Sequence, residues 1–127
     1  MSSSQIRKIK QYFGKGKKKI DKQNSIPNKY EQSAYDFLTL HNLNFIREYQ
    51  IPNTTKFFDI YIPDQHLLIE LDGDYWHPLT MNEAKTKIQK HNYKNDIYKN
   101  KLAFNHGFKL IRVRQSEGFE SILNYIK

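Results

Sequence analysis

The chain has 127 residues, a length that suits one domain with one core, and no apolar run near the roughly 20 residues a membrane helix needs. It holds no cysteine, which excludes disulfides and cysteine-ligated zinc, and its N-terminus lacks the apolar segment of a secretory signal, so an intracellular, cytoplasmic setting is expected. The formal net charge is +8, and all of the excess lies in residues 1–29, which carry nine Lys/Arg against the single acid Asp21.

Residues 1–28 read as a basic arm, broken by Gly14, Gly16 and Pro27. Ile6, Ile9, Tyr12 and Phe13 recur at helical spacing within it, so a short basic helix is expected there. Lys8, Lys10, Lys15, Lys17, Lys18 and Lys19 would be drawn to phosphate. The arm has no broad apolar face, so nucleic acid is the expected partner and a membrane is not. The compact domain is expected over residues 29–127.

Residues 29–42 predict a helix with Tyr30, Ala34, Phe37, Leu38 and His41 on one face. Residues 43–51 alternate as a strand, partly apolar and so suited to an edge. Residues 56–62 (KFFDIYI) predict a second strand, with Phe57, Asp59 and Tyr61 on one face and Phe58, Ile60 and Ile62 on the other. Pro63-Asp64-Gln65 is a tight turn, and residues 66–71 (HLLIEL) are apolar enough for a central strand. A loop through Pro78 and Thr80 leads to a long helix over 81–106, stopped by Gly107. Residues 108–113 give a fourth strand, and Ser116 can cap a last helix over 117–126. Hairpin-linked strands followed by a helical crossover imply an α/β fold, a three-layer α/β/α sandwich around a mixed four-stranded sheet.

Chemistry concentrates in residues 57–77. Asp59 interrupts an apolar strand, and a buried carboxylate without a partner is costly, so a metal ion or a hydrogen-bond network is expected at it. Glu70 and Asp72 share a face of the next strand, and carboxylates converging from two strands suit Mg²⁺ (or Mn²⁺), which prefers oxygen ligands. Asp74 reads as turn chemistry. His77 follows Trp76 and could act as a general base or as a partner for phosphate. Tyr75 and Trp76 fit either the core or a stacking surface for bases. Asp96 reads as a helix-face acid paired with Lys99 or Asn100.

Taken together, Asp59, LIELDGDYWH and KNDIYKNKLAFNHGFKLIRV resemble the PD-(D/E)xK nuclease superfamily, and within it the very-short-patch repair endonucleases and the EDxHD phage homing endonucleases. The resemblance covers roughly residues 30–117. It implies a restriction-endonuclease-like fold and a catalytic set of Glu31, Asp59, His77 and Asp96. It also implies a divalent ion on Asp59 and on a backbone carbonyl near Leu71, with Glu70 and Asp72 as further candidate ligands. The chain departs from the superfamily in lacking the acid-x-Lys element, since Glu70-Leu71-Asp72 contains no lysine, and from the repair enzymes in lacking a zinc site. The expected activity is therefore DNA phosphodiester hydrolysis by a homing or nicking endonuclease. A catalytically inactive DNA-binding protein and a repair or junction nuclease are the alternatives. Tyr75, Trp76, Lys85 and Lys87 would join the arm in contacting DNA, with Lys90 and Lys94 behind them. A double-strand break would need a homodimer or two successive nicks.

Overall fold

A computed structural model describes residues 25–127. The arm lysines from Lys8 to Lys19, and the short helix expected beside them, lie outside the described residues.

Helix α1 spans Lys29–Leu40. Asn28 starts it: its side chain accepts from the Glu31 N–H at 2.8 Å, and Glu31 Oε1 accepts from the Asn28 N–H at 2.9 Å. This reciprocal capping box satisfies two amides that a helix start leaves bare. Strands β1 (Ile46–Gln50), β2 (Phe57–Ile62) and β3 (Leu67–Asp72) follow as an antiparallel meander. Helix α2 (Lys87–Asn105) then crosses over to β4 (Lys109–Arg114), which pairs parallel to β3. The result is an α/β fold with one mixed four-stranded sheet in the order β1-β2-β3-β4. β3 is buried along its whole length, as its apolar sequence requires.

The core divides in two. Leu67, Ile69 and Leu71 of β3 pack with Ala34, Tyr35 and Leu38 of α1. Leu68, from the opposite face of β3, packs with Ala103 of α2. Among the described residues no helix is long and apolar enough to cross a membrane.

Three expectations are corrected. The long helix begins at Lys87, not residue 81, because Thr86 and Gln89 form a second capping box. Residues Met81–Glu83 make a separate 3₁₀ turn capped by Thr80. The last segment is a 3₁₀ helix over Glu120–Tyr125 with no side-chain cap, rather than an α-helix started by Ser116. Gly118 sits at φ 76, in the left-handed region, which delays the helix and leaves only six residues for it.

The third correction shapes the site. The regular alternation expected in β2 fails at Asp59. Ile60 and Ile62 join the α1 side of the core, yet Phe58 joins the α2 side. β1 does the same: Arg47 lies over the Tyr35 ring at 4.7 Å, while Tyr49 stacks on Tyr61 at 4.2 Å on the other side. The register pairs Arg47 with Ile60 and Tyr49 with Phe58, so the two strands switch faces together across Glu48 and Asp59. Glu48 takes φ 50, a rare conformation for a residue with a side chain. The irregularity re-aims two carboxylates, as bulges near functional sites do.

Candidate functional site

The face switch brings Asp59 and Glu48 to Glu31 in the first turn of α1. Each offers an oxygen, and these oxygens lie within 4.8 Å of one another. One oxygen of Glu31 serves the helix cap, and a carboxylate has a second with which to bind. Asp59 Oδ2 accepts from the Leu71 N–H at 2.7 Å. Burial, and then the neighbouring Glu70 carboxylate, push the Asp59 carboxyl well above the usual carboxylate range. The Leu71 amide opposes this, and Lys99 opposes it more weakly. Three carboxylate oxygens this close could hold a divalent cation, which takes oxygen ligands.

A second group forms on the α2 side. His77 Nδ1 lies 2.8 Å from Asp96 Oδ2 and 3.9 Å from Asp72 Oδ1. The loop that carries His77 is tied down through its backbone carbonyls. Gln89 Nε2 donates to Tyr75 O, Asn92 Nδ2 to Trp76 O, and Arg114 to His77 O at 2.7 Å. The hydrogen bond to Asp96 raises the His77 pKa above its usual value, burial lowers it, and Asp72 adds to the rise.

This second group also brings three ligand atoms within 4.8 Å of one another, but a cation of the protein's own stands among them. Arg112 already lies within it, donating to both Asp72 oxygens at 3.2 Å and standing 3.4 Å from Asp96 Oδ1. The guanidinium supplies the positive charge that an ion would bring. Asp72 is thus paired with Arg112, and Glu31, Glu48 and Asp59 form the other group of oxygens that could hold a cation.

The two groups flank the end of β3. Asp59 bonds residue 71, and Asp72 follows it. Tyr30, from α1, donates its hydroxyl to Val113 O at 2.7 Å. Burial, then Asp72, Asp74 and Asp59, push that hydroxyl up to about 12, so it stays protonated between them. A cleft of about 170 Å³ opens beside His77, Asp96, Tyr93 and Arg114. A larger cavity, about 670 Å³, lies beside Phe104, Phe108 and Tyr125, but neither a carboxylate nor a histidine lines it. The smaller cleft is the one with chemistry.

The four residues expected as a catalytic set are therefore distributed over two neighbouring groups, Glu31 with Asp59 and His77 with Asp96. Residue 71 meets Asp59 through its N–H. Glu70 turns to Lys99, whose Nζ is 2.6 Å from its Oε2. Asp96 makes neither helix-face pair expected of it: Lys99 goes to Glu70, and Asn100 accepts from Arg112. Tyr75 and Trp76 are both more than half exposed, so they do not belong to the core. Lys85 and Lys87 are exposed, and Asp74 pairs with Arg114 at 3.3 Å. Sequence reasoning gave no role in the site to Glu48, Lys99, Arg112 or Arg114. Arg112 stood inside the segment KNDIYKNKLAFNHGFKLIRV that carries the resemblance, whereas nothing in the sequence marks the left-handed turn at Glu48.

Comparison of the chain with protein-family models, with curated proteins and with solved structures gives no match.

Proposed function

We propose that this chain is a metal-dependent endodeoxyribonuclease, with Mg²⁺ or Mn²⁺ held by Asp59, Glu31 and Glu48. The observation that carries this reading is the pairing of two unlike polar groups at the end of one strand. One is a cluster of carboxylates, Glu31, Glu48 and Asp59, whose oxygens lie within 4.8 Å of one another. The other is a His–Asp pair already neutralised by arginine. A divalent ion, when bound, stabilises charge on a phosphodiester and acidifies a water. Asp96 holds His77 through Nδ1, which leaves Nε2 to take a proton from the attacking water or to return one to the leaving oxygen. Arg112 keeps Asp96 in place and Arg114 keeps the His77 loop in place. Helices on both sides of the sheet support the three-layer sandwich of restriction-endonuclease type. One such site cuts one strand at a time, so nicking is the expected product of a single copy, and the reading favours a homing or nicking role in an intracellular setting.

The test is conversion of supercoiled plasmid. Cleavage should need Mg²⁺ or Mn²⁺, stop in EDTA, and fall about 10²–10⁴-fold in His77→Ala, the range typical of losing a general acid–base group. Cleavage that persists in EDTA would reject the metal, and full activity in His77→Ala would reject the base.

The arm allows a separate check on the partner. Residues 1–24 can be removed without touching the Asn28 cap or the Ser25 carbonyl that accepts from Arg47. The slope of log K against log salt should become shallower by about 0.9 for every phosphate that the arm neutralises on duplex DNA. Deletion should therefore weaken duplex binding and flatten its salt dependence, and an unchanged slope would remove the arm from the interface.

A further inference from the structure

Glu70 lies on β3 and Lys99 on α2, both more than nine-tenths buried. Lys99 Nζ is 2.6 Å from Glu70 Oε2 and 4.6 Å from the centre of the Phe58 ring. Glu70 Oε1 accepts from the Asp59 N–H at 2.9 Å. One step further along the same two strands, Asp59 Oδ2 accepts from the Leu71 N–H at 2.7 Å. Both oxygens of Glu70 are thus engaged by donors. At the point where β2 switches faces, two side chains take the place of backbone ladder partners: Glu70 on the amide of Asp59, and Asp59 on the amide of Leu71. The direction of the Asp59 carboxylate follows from this reciprocal pair of bonds. A buried Glu70 beside Asp59 would be repelled from that position without a cation of its own. Lys99 supplies it, with Arg112 next at 4.0 Å.

We propose that Glu70 and Lys99 are a positioning pair that aims Asp59, and that Glu70 is not itself a metal ligand. The proposal rests on the reading of Asp59 as a cation-holding residue. To ligate a metal, Glu70 would have to release either Lys99 or the Asp59 amide.

The test uses the full chain with Mn²⁺ as probe and two readouts: Mn²⁺ affinity by calorimetry, and the amide resonances of Asp59 and Leu71 by NMR without metal. In Glu70→Gln/Lys99→Met the glutamine oxygen can still accept from the Asp59 amide, and no buried charge is left unpaired. Glu70→Leu/Lys99→Met removes the acceptor while remaining a well-packed apolar pair. The first variant should keep both amide shifts and bind Mn²⁺ within about threefold of wild type, whereas the second should lose the Asp59 shift and about tenfold or more in affinity, as removal of a ligand's supporting partner does. If the first variant loses tenfold in affinity with its amides unmoved, Glu70 is a ligand and the proposal is overturned. Unmoved amides in the second variant would overturn the positioning role directly. If wild type binds no Mn²⁺, the nuclease reading fails on its own terms. The amide shifts alone then decide whether the pair holds Asp59.

Discussion

Asp59→Asn should abolish metal-dependent cleavage and make the protein more stable. Both effects come from one cause. The fold holds the Asp59 carboxyl beside Glu70 and Glu48 in a partly buried place, and its pKa is raised well above the usual range. An acid whose pKa is higher in the fold than in the unfolded chain makes the folded state bind the extra proton. Stability then falls as pH rises from the unfolded value, about 3.9, through the folded one, and above it the destabilisation is fully present. Asparagine keeps an oxygen for the Leu71 amide and removes the charge. The gain should grow as pH rises from about 4 toward neutrality, as the folded Asp59 carboxyl gives up its proton. It should shrink toward zero below pH 4. Thermal unfolding of both proteins between pH 4 and 8 measures it. A variant that is less stable than wild type across that range would show that Asp59 is a structural hydrogen-bonded carboxylate, and residual cleavage near the wild-type rate would deny it the metal.

That conflict between charge and burial was visible in the sequence, because KFFDIYI sets an acid in an apolar strand. The mixed four-stranded sheet and the central place of β3 were equally legible, since period-two alternation and an unbroken apolar run are strong signals. What failed was local. Thr86-Lys87-Ile88-Gln89 has the form of a capping box, and it sets the helix start six residues later than the loop through Pro78 and Thr80 suggested. The face switch at Glu48 and Asp59 was not legible at all, because alternation assumes a regular pleat and a positive φ at a glutamate leaves no mark in composition. The carboxylate group at α1 depends on that switch. Lys99 and Arg112 were hidden for a different reason. Lys99 lies in a helix whose other lysines face solvent, and only the crossing of α2 over β3 and the parallel pairing of β4 turn Lys99 and Arg112 toward the carboxylates of β3.

The His77–Asp96 pair predicts a pH profile whose direction can be worked out. His77 must be neutral to accept a proton, so cleavage should rise with pH. The hydrogen bond to Asp96 is the largest influence on its pKa and raises it, with Asp72 assisting against burial and Arg112. The midpoint of the rise should therefore lie above the ordinary histidine value of about 6.5. Asp96→Asn removes the main cause, so the midpoint should move toward acid. The plateau should also fall, by about 10²–10⁴-fold, because the ring is no longer held in the tautomer that exposes a basic Nε2. The two effects separate Asp96 from a residue that merely supports the fold, which would lower the plateau and leave the midpoint alone. Stability carries the same signature with its own sign. A histidine whose folded pKa is raised contributes stability that is complete below about 6.5 and is lost as pH rises through the folded value. Wild type should lose that contribution as pH rises above about 6.5, and Asp96→Asn should show a flatter curve over the same window. Asp59→Asn and Asp96→Asn, each compared with wild type, assign the two slopes to their groups. A midpoint that does not move in Asp96→Asn would mean that His77 is not the group whose proton limits the rate. A rate that falls as pH rises through the same window would assign His77 the opposite duty, donating a proton to the leaving oxygen.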